Sequence, residues 1–226
     1  MSDPRGYVIV GSDTEVGKST IACGFVRHLT AKGLRVGVFK PAASGLDGSA
    51  ADDIERLRAA AGGGFAATEV CPYRFAEPIA PLLAARNAGS RIEWDVVTAA
   101  VEAWLRRCDT LVVETAGGVL SPLDERHSNL DFAEHLGLPA IAVVPNRLGA
   151  INAAMLVSAA LLQRRIPIAA VVFNDLPQDL CGEHVRQTNV ALFAELHEAY
   201  LRCARPLRIC RVLFGGADGL ELDPRS

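Results

Sequence analysis

Long apolar runs are missing from this chain. No stretch approaches the ~18–20 uninterrupted apolar residues of a membrane-crossing helix, and Met1–Gly6, which precedes the first apolar run, has no signal-peptide hydrophobic segment. No C-x-x-C pair occurs: Cys23, Cys71, Cys108, Cys181, Cys203 and Cys210 are scattered, which excludes a zinc ribbon or dithiol redox motif and suits a reduced, cytoplasmic setting. A basic excess is lacking too, since 23 Lys and Arg are set against 26 Asp and Glu for a net charge of −3. Nothing in that balance would hold a nucleic-acid backbone or an anionic membrane, and a small-molecule partner is expected. His28, His127, His135, His184 and His197 form no H-E-x-x-H or other metal spacing, and no Gly-x-Ser-x-Gly elbow appears. Internal repeats at solenoid periods are absent, and Trp94 and Trp104 read as helix packing.

What is present suits one domain over residues 1–226, because a chain of this length with half its residues hydrophobic can bury a single core. Tyr7–Val10, Arg35–Phe39, Leu111–Val113, Ala140–Val144 and Ile168–Phe173 are short, β-branched, mostly continuous apolar runs, as strands buried on both faces require. Helical spacing over Ser19–Ala31 and about 52–61, 94–107, 129–136, 150–164 and 183–202 alternates with them. That alternation predicts an α/β fold with a doubly wound, mostly parallel sheet. Gly62–Gly64 and Pro72–Pro81 read as loops, and the last two dozen residues carry little legible pattern.

The sharpest local signal is Gly11-Ser-Asp-Thr-Glu-Val-Gly-Lys-Ser19, placed between the first strand and the first helix. Backbone N–H groups of such a turn, with the positive end of the helix, converge where phosphate oxygens can accept hydrogen bonds. Asp13, Thr14, Glu15, Val16, Gly17 and Thr20 complete this nucleotide-binding segment; Lys18 would reach the β- and γ-phosphates and the Ser19 hydroxyl would hold Mg²⁺. The usual phosphate loop has four residues between its glycines and this one has five, with Ser12 where a glycine is expected. The plain alternative is a glycine turn followed by an ordinary helix-start serine.

The run Gly11–Lys18, followed by Lys40-Pro-Ala-Ala-Ser44-Gly45, resembles the dethiobiotin synthetases, whose loop Gly-Thr-Asp-Thr-x-Val-Gly-Lys-Thr has the same five-residue gap. Phe75-Ala-Glu-Pro78, Glu114-x-Ala-Gly-Gly118, Leu148-Gly-x-Ile-Asn152 and Asn174-Asp175 follow in family order, so the resemblance covers roughly residues 7 to 175. It implies a P-loop ligase that uses ATP and Mg²⁺ to carboxylate one amine of 7,8-diaminopelargonate, phosphorylate the carbamate, and close a cyclic urea in biotin biosynthesis.

The resemblance also implies roles. Lys40, Lys18 and Thr14 would act at the reacting groups; Ser19, Asp53 and Glu114 would hold the metal; Asn174 and Asp175 would read the adenine edge. Ser44, Gly118, Leu148, Gly149, Ala150, Ile151 and Asn152 would contact the substrate, the last group gripping its carboxylate, often across a homodimer interface. Each has a bland counterpart: a snorkelling lysine at a strand end for Lys40, helix N-caps for Asp53 or its neighbour Asp52, and turn residues for Thr14, Ser44 and the Asn-Asp pair.

Departures from the family are visible as well. Ile79-Ala80-Pro81-Leu82 replaces a polar Ser-Pro-His segment, Thr115 replaces a glycine, Pro145 and Arg147 alter the approach to the carboxylate grip, and Ala153 stands at a common histidine position. Leu213-Phe-Gly-Gly-Ala217 replaces a proline-containing adenine-packing segment, which leaves the base preference open. Alternative readings are the same chemistry on another diamine, a regulatory or partitioning ATPase, and an amidotransferase-like synthetase. Asp13, where the partitioning ATPases commonly have lysine, argues against the second, and the lack of room for a glutaminase domain argues against the third.

Overall fold

The computed structural model describes residues 5–46, 49–177, 181–202 and 207–213, with the side chains of residues 49–52 left aside. Six strands form the main sheet: β1 (Gly6–Gly11), β2 (Val36–Phe39), β5 (Thr110–Glu114), β6 (Ala140–Pro145), β7 (Ile168–Asn174) and β8 (Ile209–Val212). Their order is β2-β5-β1-β6-β7-β8 and every neighbouring pair is parallel. β1, β2, β5 and β6 are buried along their whole length, which is why their sequences are continuous apolar runs without alternation.

Helices α1 (Lys18–Ala31), α5 (Trp94–Arg107), α6 (Asn129–Leu136), α7 (Ala150–Gln163) and α8 (Glu183–Leu201) connect or cover these strands. Local chemistry fixes several ends. Ser128 caps α6 reciprocally with Asp131: its Oγ accepts from the Asp131 N–H at 3.2 Å while its own N–H donates to Asp131 Oδ2 at 2.8 Å. Gly137 ends the same helix with φ 62°, where a β-carbon would be strained. Among the described residues no helix is long and apolar enough to cross a membrane.

Between β2 and α5 the chain makes a smaller layer: β3 (Ala42–Ala43), α2 (Ser49–Ala60), α3 (Ala67–Val70), β4 (Tyr73–Arg74) and α4 (Pro81–Asn87), with β3 pairing β4. Three readings change here. The Pro72–Pro81 stretch is not wholly a loop: it contains β4, and Pro81 opens α4 at its first position, where a missing N–H costs nothing. The helix expected from residue 52 begins at Ser49, so Asp53 is mid-helix and not a cap. β8 emerges from the little-patterned tail, held by Arg211, whose guanidinium bonds Asp175 and Glu183. Leu213 ends the described tail, and the Phe214–Ala217 part of the expected base-packing segment lies outside it, as does Cys203.

Gly6 is where the central strand passes closest to its neighbour: a β-carbon there would sit 2.3 Å from the Leu111 carbonyl oxygen. Gly6→Ala should destabilise the protein by about 1–3 kcal/mol through overpacking, read as a lowered urea midpoint with an unchanged slope.

Candidate active site

β5 lies between β1 and β2, so the carboxyl ends of these three strands carry the phosphate loop, Glu114 and Lys40 side by side. In an open parallel sheet this is the edge where ligands bind. The loop is braced on both sides: Ser12 N–H donates to Val143 O at 3.0 Å, and Val119 N–H donates to Gly11 O at 2.8 Å. Ser12 keeps a negative φ, so the residue at the expected glycine position needs no glycine. Glycine is needed at Gly17, with φ 88° and its missing β-carbon only 2.0 Å from Asn174 Nδ2. The Asn174 amide itself donates to Val16 O at 3.0 Å. Lys18 curls over the loop and donates to Asp13 O at 2.8 Å.

Ser19 Oγ stands 2.8 Å from Asp53 Oδ2 and 2.7 Å from Glu114 Oε1. One hydroxyl proton cannot serve both carboxylates at once. Glu114 Oε2 is buried with no partner among the described residues. Three oxygens around one point, one carboxylate oxygen left over, and two acidic side chains on a single hydroxyl match a hard divalent cation that takes oxygen ligands. The residues present therefore fit Mg²⁺. Among the described residues no group of three or more His, Cys, Asp and Glu could hold a metal ion; the oxygens gathered here come from two carboxylates and the Ser19 hydroxyl.

Lys40 Nζ meets Glu114 Oε1 at 2.9 Å and Asp53 Oδ2 at 3.9 Å. Lys18, Lys40 and Glu114 are 6%, 7% and 2% exposed, an unusual concentration of buried charge. Burial alone would pull Lys40 down, but Glu114, Asp53 and the hydrogen bond to Glu114 more than offset it and hold it above the ordinary lysine value. Among the described residues Lys18 has no carboxylate in hydrogen-bond contact; burial, with Lys40 adding to it, outweighs the attraction of Glu114 and lowers its pKa to about 8.

A cleft of about 870 Å³ opens over this cluster. Thr14, Glu15, Gly17, Lys18, Ser19, Thr20, Lys40, Ser44, Asp53 and Glu114 line it, joining most of the phosphate-loop, metal and reacting-group candidates. The facing wall is Pro78, Ile79, Ala80 and Pro81 at the start of α4, and the floor runs through Thr115, Ala116 and Gly117 to Ser121 and Pro122. Arg56, Ser121 and Pro122 had no motif to mark them: the first is one arginine on a helix and the others belong to an irregular loop.

Other candidates stand elsewhere. Asp13 turns its Oδ1 to the Thr14 N–H at 2.7 Å, and Val16 is buried beneath the loop. Gly118 backs the floor, its N–H donating to Ser121 Oγ at 3.0 Å. Leu148, Gly149, Ala150, Ile151 and Asn152 lie at the start of α7 and do not line the cleft; Leu148 is 86% exposed. Asn174 braces Val16, while Asp175 is enclosed by Arg211 at 2.7 Å, Arg186 at 3.7 Å and Asn146 Nδ2 at 2.7 Å.

Nucleotide binding should be linked to Lys18 titration. Polyphosphate beside its ammonium raises a pKa of about 8 in the empty protein. Binding at about pH 9 should therefore take up a proton, binding at about pH 6.5 should not, and affinity should fall as pH rises through the empty-state value. The sign for folding is complementary: the unfolded lysine holds its proton to higher pH, so the empty protein gains stability as pH rises from about 8 toward 10.5. Calorimetry in buffers of different ionisation enthalpy measures the uptake, and Lys18→Arg, which stays charged, should abolish it. No uptake by the unsubstituted protein at the higher pH would contradict the assignment.

Comparison with known proteins finds relatives of the whole chain. A family model described as an AAA domain matches residues 5–204. The ATP-dependent dethiobiotin synthetase BioD of Anaeromyxobacter dehalogenans (strain 2CP-C) is 43% identical over 170 residues, covering 75% of this chain and 76% of the relative. Its counterpart in Caulobacter vibrioides (strain NA1000 / CB15N) is 35% identical over 204 residues, covering 88% and 92%. Among solved structures, the hydrogenase maturation factor HypB from Archaeoglobus fulgidus superposes with a TM-score of 0.51 at 11% identity, covering 95% of this chain and 85% of that one. The signal recognition particle receptor FtsY from Elizabethkingia anophelis in complex with GDP gives 0.51 at 16%, covering 100% of this chain but 65% of that one. The two structural likenesses speak for the fold alone. The sequence relatives go further: this chain belongs to the ATP-dependent dethiobiotin synthetase family.

Proposed function

We propose that the chain is a ligase that carboxylates 7,8-diaminopelargonate and closes it to dethiobiotin at the expense of ATP, with Mg²⁺ as cofactor. The observation that carries this reading is the meeting of Lys18, Lys40, Ser19, Asp53 and Glu114 at one end of one cleft. One amine adds to CO₂ and loses a proton to give a carbamate; a carbamate oxygen attacks the γ-phosphorus and ADP leaves. The second amine then attacks the carbamoyl carbon, losing a proton and expelling phosphate as the ring closes.

Phosphoryl transfer of this kind depends on positioning and charge neutralisation. Lys18, on the phosphate loop, would exchange the Asp13 carbonyl for the β- and γ-phosphates. Lys40 would present its ammonium to the carbamate and the transferring phosphoryl group, with Thr14 and Ser44 as hydrogen-bonding neighbours on the same cleft. When bound through Ser19, Asp53 and Glu114, Mg²⁺ would neutralise charge on the phosphate oxygens. Glu114, which lies 2.9 Å from Lys40 and 2.7 Å from Ser19 Oγ, would serve both the lysine and the metal position.

Ile79, Ala80 and Pro81 give the cleft an apolar wall where the family has polar groups, which favours a second reading, the same ring closure on a different diamine. A partitioning ATPase is disfavoured by Asp13, whose carboxylate caps its own loop. We also infer a homodimer. The α7 start (149–152) is remote from the cleft of its own chain, and Leu148 and Leu156 are 86% and 62% exposed, as a surface meant for a second copy would be. A cytoplasmic setting suits the described cysteines, all of them free.

Incubation with ATP, Mg²⁺, ¹³C-bicarbonate and 7,8-diaminopelargonate should give labelled dethiobiotin by mass spectrometry. Lys40→Gln should lower kcat by about 10²–10³-fold, the size of loss seen when a charge stabiliser of a transition state is removed. Bicarbonate-dependent phosphate release only with a different diamine would select the second reading, and release indifferent to every diamine would sink both.

A further inference from the structure

Asn129, the first residue of α6, is 1% exposed and stands outside the cleft. Its amide nitrogen donates to two carbonyls of the cleft floor at once, Ala116 O at 2.6 Å and Gly118 O at 2.9 Å. Both amide protons are thereby used, and the flipped amide would set its oxygen against two carbonyl oxygens, so the orientation is fixed by the partners. Its Oδ1 remains buried without a partner among the described residues.

The segment it holds joins Glu114 to Ser121. Gly117 takes φ 77°, and its missing β-carbon lies 2.8 Å from Ser121 Oγ. On one side Gly118 packs on the phosphate loop, where a β-carbon would be 3.1 Å from Ser12 O. The Asn129 N–H also donates to Ser121 O at 3.0 Å, so one residue ties down three points of the turn. α6 in turn is fixed by its Ser128–Asp131 cap.

We propose that Asn129 is a positioning residue for the ligase reaction: its two-pronged amide holds the Glu114–Ser121 turn so that the cleft floor keeps its distance from the phosphate loop and the Glu114 carboxylate stays aimed at Ser19. This rests on the ligase reading for its kinetic part only. No other side chain of this length offers two donors on one nitrogen without a charge. Leucine keeps the volume and loses both donors. Aspartate keeps the shape and sets acceptors against acceptors; a protonated carboxyl restores one donor.

The test is Asn129→Leu and Asn129→Asp in the full chain, with Leu161→Ala, a fully buried α7 core residue, as a control for lost stability alone. Expected for Asn129→Leu is a fall in kcat of about 10–100-fold, the scale of an ångström of misplacement. Its affinity for Mg·ADP by calorimetry should stay within about threefold, because the phosphate loop is braced from β6 and β7 as well. The Asn129→Asp activity relative to the unsubstituted enzyme should rise as pH falls, which simple destabilisation would not produce. Independently of turnover, amide hydrogen exchange should quicken in the peptide spanning 115–121 and stay unchanged in α7. Slower exchange than expected across 115–121, or a kcat loss no larger than that of Leu161→Ala at equal loss of Tm, would overturn the proposal. An unsubstituted protein that makes no urea with any diamine would remove the ligase reading and leave the exchange result to decide the positioning role.

Discussion

Everything at this site depends on keeping Lys40 and Glu114 paired where both are buried. Either alone would cost several kcal/mol to bury, and removing one partner of such a pair leaves an uncompensated charge. The contact at 2.9 Å makes burial tolerable, and the order β2-β5-β1 makes the contact possible, since each residue ends a strand and the strands are neighbours. Glu114 Oε1 has two claims on it, from Lys40 Nζ at 2.9 Å and from the Ser19 hydroxyl at 2.7 Å, so the lysine and the oxygen cluster share one carboxylate.

Lys18 shows the contrasting solution. Among the described residues it has no carboxylate in hydrogen-bond contact and its pKa is lowered to about 8, so its ammonium rests on the loop carbonyl and on more distant charges. A polyphosphate ligand supplies what is missing. The two lysines of one cleft thus divide between a partner inside the fold and a partner that arrives.

Much of this was legible in the residues. Continuous apolar runs revealed five of the six main strands because a strand buried on both faces has no alternation to disguise it. Lys40 and Glu114 could be placed at strand ends for the same reason. Their adjacency could not, because no local pattern states that β5 inserts between β1 and β2. Asp53 was ambiguous with Asp52 and with a helix cap until the helix start at Ser49 put it mid-helix with Oδ2 at 2.8 Å from Ser19. β8 was hidden because it is short and Arg211 interrupts its apolar pattern, and Arg211 is there for its ion pairs with Asp175 and Glu183. Asn129 and Asn146 were invisible for a simpler reason: a buried asparagine has no spacing rule, and its meaning lies wholly in what surrounds it.

The five-residue gap of the phosphate loop can be understood in the same terms. With Ser12 N–H still bonded to Val143 O, the loop's first residue continues the sheet before the chain turns away. The left-handed conformations occur later, at Glu15 with φ 54° and Gly17 with φ 88°. Shifting the turn in this way leaves Ser12 O and Asp13 facing Gly118, so the phosphate loop and the cleft floor become one packed unit. A β-carbon at Gly118 would press on that contact at 3.1 Å. The longer loop and the Gly117-Gly118 turn are therefore parts of one constraint: the segment that cradles phosphate and the segment that carries Glu114 must touch through backbone, and side chains such as Asn129 and Ser121 hold that contact from behind.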